Sequence, residues 1–424
     1  MKVALRRFLY TMKLIEKSTN RRAFLQSAAG LGATGVFKNL LPDSLSENNS
    51  LSQPPDPSKG HVFLSEPYLQ YSGPGSMTVM WIANVPAYSW VEYGEEPSLG
   101  KKAHSVTNGL IDAYNRINRI TLSGLKPGTT YQYRACSKEI TEFKPYKLTY
   151  GQTIESPIFR FTTPNEQANS VSCLIMNDIH DRPESITHLL SLKGDDPFDF
   201  VFFNGDLFDW QTDEQQIIDH MLVPCSVGFA KEIPFLYVRG NHETRGKYRS
   251  ELHQYFSNPQ GKQYFSYTWG PVHFTVLDTG EDKPDSEPVY AGIVDFDAYR
   301  EEQARWVDEV MQRSAFKKAK FRVVLMHIPT YYHNNWHGPM HCQKLFTPLF
   351  NQYKVDLCIS GHTHQYGVHE PVMSQHTYPI IIGGGSKDGS RTLIKVKATK
   401  KDLQLTMLLD DGKEVGTYHL TAKR

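Results

Sequence analysis

Five apolar, strand-like runs in the C-terminal two-thirds of the chain each lead into a short segment of Asp, Asn or His. The segments are Asp178-Ile179-His180, Gly205-Asp206, Gly240-Asn241-His242-Glu243, His327 and Gly361-His362-Thr363-His364. Continuous apolar runs are typical of strands that are buried on both faces. An open α/β sheet binds ligands beyond the carboxyl ends of its strands, so these segments are expected to meet at one rim. The pattern predicts an α/β layered sandwich.

The side chains in these segments are those that bind metal ions. Mixed carboxylate and imidazole ligation suits Fe, Mn or Zn better than Ca, and one carboxylate can bridge two cations about 3.5–4 Å apart. Gly205-Asp206 and Gly240-Asn241 alone are ordinary turn pairs. The signal therefore comes from the order and strand-end position of all five segments together.

Together these motifs resemble those of the calcineurin-like metallophosphoesterase family, from about Val171 to the C-terminus. The resemblance implies two divalent or trivalent metal ions (Fe, Mn or Zn) and a metal-bridging hydroxide that attacks phosphorus. The implied ligands of the first ion are Asp178, His180, Asp206 and His364. Those of the second ion are the bridging Asp206 with Asn241, His327 and His362.

Two further residues near these ligands are candidates for catalysis or substrate binding. His242 directly follows a ligand, and we predict that it and Asp206 are catalytic, with His242 protonating the leaving oxygen or steadying the phosphate. The alternative for His242 is a structural role beside the ligands. Arg245 is positioned to reach phosphate oxygens, or else is solvated.

A loop rich in polar and aromatic residues lies between His327 and His362. Its histidines at 333, 337 and 341 either form an additional metal site, line the substrate pocket or are solvated on a lid. We favour the pocket, because the substrate loop of the resembled family occupies this place and the primary ligands are already complete. His333 and His337 are thus predicted to bind substrate.

Short alternating runs from His61 to about Pro164, broken by turn residues, predict an antiparallel β-sandwich. We expect separate strands at Ser76–Trp81 and Trp90–Tyr93, with a turn around Pro86. The segment from Gly124 to Arg134 resembles the tyrosine corner of fibronectin type III-like domains. With this domain in front, the layout is similar to that of purple acid phosphatases.

At one position this chain has a different residue from the purple acid phosphatases. Their Gly-Asp motif is followed, three residues after the Asp, by a tyrosine that binds ferric iron and produces the colour. Asp209 stands there in this chain, and His180 adds a ligand in the first motif. We therefore expect no tyrosine-to-iron absorption band, with Asp209 supporting the ligands rather than binding metal.

The N-terminus and the composition constrain location and partners. Residues 1–37 contain Arg21-Arg22 before a short apolar stretch, which resembles a twin-arginine export signal to a periplasmic or extracellular location. Residues 38–58 read as a flexible linker, residues 59–165 as the sandwich and residues 168–424 as the metallophosphoesterase domain. The 46 basic and 45 acidic residues give a net charge of +1, so no nucleic-acid partner is expected. The apolar stretch near the N-terminus is too short to cross a bilayer, so no transmembrane span is expected.

Three functions are compatible with these features. The leading one is an exported dinuclear-metal phosphoesterase that hydrolyses small phosphomonoesters. A phosphodiesterase for a nucleotide or a lipid headgroup would use the same site. A secreted adhesion or binding protein with a degenerate metal site is the third, against which the intact ligand set argues.

Overall fold

The structure is a computed structural model in which residues 60–71 and 73–423 are described. The predicted export signal and linker, residues 1–37 and 38–58, lie outside these residues. Along the described ranges, no helix is both long enough and apolar enough to cross a membrane.

The N-terminal domain consists mostly of strands, as predicted, and its fibronectin type III-like character stays a prediction. Its strands are β1 (Phe63–Gln70), β2 (Ser76–Glu95), β3 (Lys101–Ala103), β4 (Val106–Thr107), β5 (Leu110–Ile111), β6 (Ala113–Ser123), β7 (Thr130–Lys144), β8 (Lys147–Glu155) and β9 (Phe159–Thr162). The Tyr131 hydroxyl accepts a hydrogen bond from the Lys126 N–H at 3.0 Å, the kind of bond that a tyrosine corner makes.

Strand β2 corrects the expected turn at Pro86, because it is one continuous strand of 20 residues. Its pairing with β6 has a register shift between Ile82 and Ala87. Proline cannot donate to a ladder and is tolerated at such irregularities. The alternation itself is real: Val79 and Trp81 belong to the sandwich core, whereas Met80 faces the core of the following domain.

The second domain contains twelve strands and six helices. The strands are β10 (Ser170–Met176), β11 (Phe200–Asn204), β12 (Phe235–Val238), β13 (Phe265–Trp269), β14 (Val272–Leu277), β15 (Phe321–Met326), β16 (Leu357–Ser360), β17 (Gly367–His369), β18 (Ile380–Ile382), β19 (Thr392–Thr399), β20 (Asp402–Leu409) and β21 (Glu414–Thr421). The α-helices are α1 (Glu184–Ser191), α2 (Glu214–Ile217), α3 (Val223–Cys225), α4 (Phe296–Gln312), α5 (Ser314–Lys318) and α6 (His337–Tyr353). The π-helical turns are Ile218–Leu222 and Ser226–Ala230, and the 3-10 turns are His242–Thr244, Leu252–Tyr255, Pro259–Gly261 and Pro288–Tyr290.

Two sheets pack face to face between layers of helix, which confirms the predicted layered architecture. The first sheet runs in the order β21-β20-β19-β10-β11-β12 and the second in the order β13-β14-β15-β16-β18-β17. Apolar side chains from both sheets, such as Phe202 and Leu325, form the core between them. The outer face of the second sheet is covered by α4 and α6, which contribute Val307 and Phe346 to a further core.

The two domains share one sheet. Strand β1 of the N-terminal domain pairs in parallel with β12 of the second domain, with Gln70 opposite Phe235. The Gln70 side chain donates to the Phe235 carbonyl at 3.1 Å, and the Tyr68 hydroxyl donates to the Tyr255 carbonyl at 2.9 Å. The resulting sheet has 13 strands.

Strands from both sheets end at the predicted ligand segments. The first sheet supplies β10, β11 and β12, and the second supplies β15 and β16, which end at Met176, Asn204, Val238, Met326 and Ser360. The polar residues follow each end within a few positions. The rim of this paired sheet therefore brings residues that are far apart in sequence to one place.

Candidate metal centre

The backbone around the predicted ligands is unusual. Positive φ angles occur at five of them: Asp178, His180, Asp206, His362 and His364. The left-handed region costs an L-residue about 1–2 kcal/mol, so neighbouring structure has to impose it. Here the Asp178 N–H donates to the Gly205 carbonyl at 3.0 Å, and the His180 N–H donates to the Asp206 carbonyl at 3.0 Å. The loops after β10 and β11 thus hold each other in place.

The first group of donor atoms is centred on Asp178. Its Oδ1 lies 3.1 Å from His364 Nε2 and 3.6 Å from His180 Nε2, and the two Nε2 atoms are 3.0 Å apart. Asp178 Oδ1 is buried and makes no hydrogen bond. Its other oxygen is occupied, because it accepts from the His362 N–H at 2.9 Å. One free carboxylate oxygen and two imidazole nitrogens therefore face a common point.

The second group is centred on Asp206. Its Oδ2 lies 3.0 Å from His327 Nε2 and 3.8 Å from His180 Nε2, so it faces both groups. His327 Nε2 is buried and makes no hydrogen bond. His362 completes this group, with its Nδ1 2.9 Å from the amide oxygen of Asn241. The seven predicted ligands are thus brought together, and Asp206 lies between the two groups.

Two of the histidines are oriented by contacts of Nδ1, the ring nitrogen that does not face the cluster. His327 Nδ1 donates a hydrogen bond to the Asn204 carbonyl at 2.8 Å, which leaves the Nε2 lone pair available to bind a metal ion. His180 Nδ1 lies 2.9 Å from the Asp209 carboxylate. Such outer partners fix the tautomer and orientation of a metal-binding histidine. Asp209, at the position of the purple enzymes' tyrosine, contacts His180 in this way.

A buried carboxylate supports the Asp206 loop. Glu243 is fully buried, and its oxygens accept bonds from the N–H groups of Gly240 (2.7 Å), Asp206 (3.0 Å), Leu207 (2.6 Å) and Phe208 (3.3 Å). These bonds tie the loop after β11 to the loop after β12. Glu243 stood in a predicted motif, but its role as an acceptor for four N–H groups could not be read from sequence.

Glycine is required where backbone passes close to the carboxylates. A Cβ atom at Gly240 would collide with Asp206 Oδ1, and one at Gly361 would collide with Asp178 Oδ2. Both positions therefore need glycine for close approach, although neither has a positive φ angle.

The charges of this cluster fit a cation site. Burial opposes protonation of His327, but Asp206 and Asp178 raise its pKa to about 10. Burial also opposes protonation of His180, while Asp178 and Asp206 raise its pKa to about 9. The two buried carboxylates therefore demand positive charge, which imidazolium protons supply without a metal. Metal binding would replace those protons, and the free Asp178 Oδ1 and His327 Nε2 atoms suit that exchange.

An open cavity of about 590 Å³ lies over the cluster, and predicted substrate residues Arg245 and His333 line it. The ring nitrogens of His333 face carbonyl groups of its own loop, at Asn334 and Thr330. His337 does not line the cavity, contrary to its predicted role. It is the first residue of α6, and its ring faces Asp297 of α4, 2.8 Å away.

Sequence reasoning missed Asp282 and Lys283, which also line the cavity. They follow β14, which ends at Leu277. The strand-end rule would have pointed to this segment, had the run Val272–Leu277 been included among the strands.

Two known families match the chain. The family described as calcineurin-like phosphoesterase matches residues 172–366, and the family described as purple acid phosphatase, N-terminal domain, matches residues 65–163. Acid phosphatase type 7 from Mus musculus is 28% identical over 371 residues, which cover 79% of this chain and 76% of that protein. Purple acid phosphatase 22 from Arabidopsis thaliana is 25% identical over 360 residues, which cover 79% and 73%.

Solved structures with the same fold include a purple acid phosphatase from yellow lupin (Lupinus luteus) seeds. It aligns with a TM-score of 0.64 at 17% identity and covers 84% of this chain and 74% of its own. The structure of PhoD aligns with a TM-score of 0.59 at 12% identity and covers 84% and 88%. At these identities the likeness shows the shared fold.

Proposed function

We propose that this chain, which joins a purple acid phosphatase N-terminal domain to a calcineurin-like phosphoesterase domain, hydrolyses phosphomonoesters at two metal ions. The family matches support a metal-dependent phosphoesterase. The choice of monoesters draws on the relatives that are named acid phosphatases and purple acid phosphatases.

The observation that carries the proposal is the position of Asp206 between two groups of donor atoms. One ion would be held by Asp178, His180, Asp206 and His364, and the other by Asp206, Asn241, His327 and His362. When bound, such a pair supplies Lewis acidity toward the phosphoryl oxygens and lowers the pKa of a coordinated water. The remaining steps fall to side chains around the cavity.

His242 is placed to handle the proton of the leaving group. Its Nδ1 donates to the Asp209 carbonyl at 2.8 Å, so Nε2 is the atom that exchanges a proton. Burial, with Arg245 and His180 nearby, lowers the pKa of His242, and Arg245 Nη1 faces Nε2 at 3.2 Å, so the resting ring is neutral. Nε2 takes up a proton from solvent and delivers it to the leaving oxygen as water oxygen bonds to phosphorus and the bond from phosphorus to the leaving oxygen breaks. The attacking water releases one proton to solvent, so the reaction is balanced.

Arg245 supplies fixed positive charge beside His242. Its guanidinium makes two bonds of 2.9 Å to the Glu281 carboxylate, one through Nε and one through Nη2. The remaining nitrogen, Nη1, lies 3.2 Å from His242 Nε2. Because Glu281 is fully buried and holds one edge of the guanidinium, Nη1 is pre-oriented to bind a phosphate oxygen.

The proposal is tested by hydrolysis of an aryl phosphomonoester and an aryl phosphodiester after loading with Mn, Zn or Fe. We expect faster monoester hydrolysis and a metal content of at least two ions per chain. A faster diester rate would replace the proposal with the phosphodiesterase function. Hydrolysis of neither ester with any metal would overturn the enzymatic function.

Removal of Arg245 should weaken substrate recognition. Arg245→Met alone would leave Glu281 buried without its cation, which is strongly destabilising. The double variant Arg245→Met, Glu281→Gln avoids that charge, and we expect its kcat/KM to fall by about 10–100-fold with unchanged metal content. Arg305→Met, at an exposed arginine of α4, is the control. A double variant with full kcat/KM would refute the role of Arg245.

We also propose that the protein is exported, on the basis of Arg21-Arg22 and the apolar stretch that follows. A twin-arginine signal is read by a receptor that requires the arginine pair. The variant Arg21→Lys, Arg22→Lys should therefore retain the protein in the bacterial cytoplasm, as measured by cell fractionation. The matched variant Arg6→Lys, Arg7→Lys changes the other arginine pair and should leave export intact. Equal export of both variants would contradict the proposal.

A further inference from the structure

A second cluster of metal-binding side chains lies outside the cavity. Asp297 belongs to the first turn of α4, whereas His337 and His341 belong to the first turns of α6. Residues four apart on a helix share one face, so both rings point toward α4. None of the three residues lines the cavity over the primary centre.

The distances suit a single small cation. His337 Nε2 lies 2.8 Å from Asp297 Oδ2, and His341 Nδ1 lies 3.0 Å from Asp297 Oδ1. The three ligand atoms all lie within 4.8 Å of one another. In a tetrahedral zinc site with bonds of about 2.0–2.1 Å, ligand atoms are about 3.3 Å apart. A small adjustment of the rings would bring this cluster to that spacing.

Hydrogen bonding accounts for His337, which bonds to both Asp297 oxygens, but not for His341. Its Nδ1 is buried and makes no hydrogen bond, even though Asp297 Oδ1 is 3.0 Å away. The two atoms are thus close together without the geometry of a hydrogen bond. An unsatisfied buried polar atom is costly, and a cation between the two atoms would satisfy both.

We propose that Asp297, His337 and His341 form a third metal site, which binds a divalent cation of the zinc type. Two imidazoles and one carboxylate are a ligand set of zinc sites that leave one position for water. His337 is 40% exposed in its side chain, so water has access to that position. This site is separate from the proposed two-metal centre and does not depend on hydrolysis there.

Arg300 sets the strength of this site. Its guanidinium is fully buried, donates to the Thr279 carbonyl at 2.8 Å and contacts Asp297 Oδ1 at 3.0 Å. A fixed positive charge beside the carboxylate repels a cation. Asp178 and Asp206 of the proposed two-metal centre are both buried, and neither carboxylate is bonded to an arginine of the described residues. The third site should therefore bind zinc more weakly than that centre.

An ion here would also anchor one wall of the cavity. Trp336 and His333, which line the cavity, directly precede α6. The N–H of Gly338, in the first turn of α6, donates to the Asp282 carbonyl at 2.8 Å. A metal ion that joins α6 to α4 would hold the N-terminal end of α6 in place, and with it the cavity wall formed by Trp336 and His333.

The test is equilibrium dialysis of the full chain against Zn²⁺, followed by measurement of bound zinc per chain. We expect His341→Gln to bind one zinc ion fewer than the unchanged chain. The variant Asp178→Asn, Asp206→Asn should lose the primary ions but keep one zinc, and adding His341→Gln should remove it. His419→Gln, at an exposed histidine of β21, is the control and should bind as the unchanged chain does.

A second variant and a thermal-unfolding measurement test the site even if His341→Gln disturbs folding. His337→Gln removes the more exposed ligand with less loss of packing and should show the same deficit of one ion. Thermal unfolding should show that excess Zn²⁺ raises the Tm of Asp178→Asn, Asp206→Asn, and that His337→Gln abolishes this rise. Equal zinc content with and without the histidines would overturn the third site, whatever the result for hydrolysis.

Discussion

Asp206→Asn should reduce kcat/KM by about 10³-fold or more, together with loss of at least one metal ion per chain. Asp206 faces both groups of donor atoms, since its Oδ2 lies 3.0 Å from His327 Nε2 and 3.8 Å from His180 Nε2. An amide is neutral and has one oxygen instead of two, so it cannot replace a bridging carboxylate. Steady-state hydrolysis of an aryl phosphomonoester and elemental analysis of the purified variant measure the two losses.

The control for this substitution is Asp388→Asn, at an aspartate whose side chain is 91% exposed. That variant should keep both its metal content and its turnover. The Tm of metal-free Asp206→Asn should stay near that of the metal-free unchanged chain, which would show that the variant is folded. If Asp206→Asn kept two metal ions and full turnover, the bridging role of Asp206 would be wrong.

Glu243→Gln should lower the free energy of unfolding of the metal-loaded protein by about 3–6 kcal/mol. Glu243 accepts four backbone N–H bonds, and glutamine presents an NH₂ group to some of these donors. Each buried donor left unsatisfied costs about 1–3 kcal/mol, and a folded domain has only about 5–15 kcal/mol in total. Denaturant unfolding measures this loss directly, and activity should fall as the Asp206 loop shifts.

The matched substitution is Glu301→Gln, at an exposed glutamate on α4, which should change stability by less than about 0.5 kcal/mol. Burial, aided by Asp206, raises the pKa of Glu243 to about 7, although the N–H bonds from Gly240 and Asp206 favour the ionised form. The arrangement of four N–H donors requires a carboxylate, because a protonated carboxyl would point its hydrogen at one of these N–H groups. A loss below about 1 kcal/mol would therefore mean that Glu243 is protonated and that the four-bond arrangement is wrong.

The positions of the ligand segments at the strand ends could be predicted from the sequence, because the end of a buried strand is recognisable from its own residues. An apolar run that stops at Asp206 or at His362 identifies both the strand and the residue beyond it. The apolar spacing of residues 297–313 likewise predicts a helix from local sequence, and the structure has this helix at Phe296–Gln312.

Side-chain direction could not be predicted in the same way. Both His333 and His337 were expected in the substrate pocket, but the start of α6 at His337 turns that ring toward α4. The roles of Glu243 and Glu281 depend on partners that other loops supply. Such contacts are set by tertiary packing, which composition and spacing do not record.

The shared sheet makes the N-terminal domain inseparable from the enzyme. Without β1, strand β12 would lose a hydrogen-bonded neighbour, and an open sheet edge is a template for aggregation. Loss of β2 would also remove Met80 and Ile82 from the core of the second domain and expose the apolar residues that pack against them. A shortened chain that begins near β10 would therefore be an incomplete folding unit. The two domains should unfold in one cooperative transition and should not be interchangeable with those of relatives.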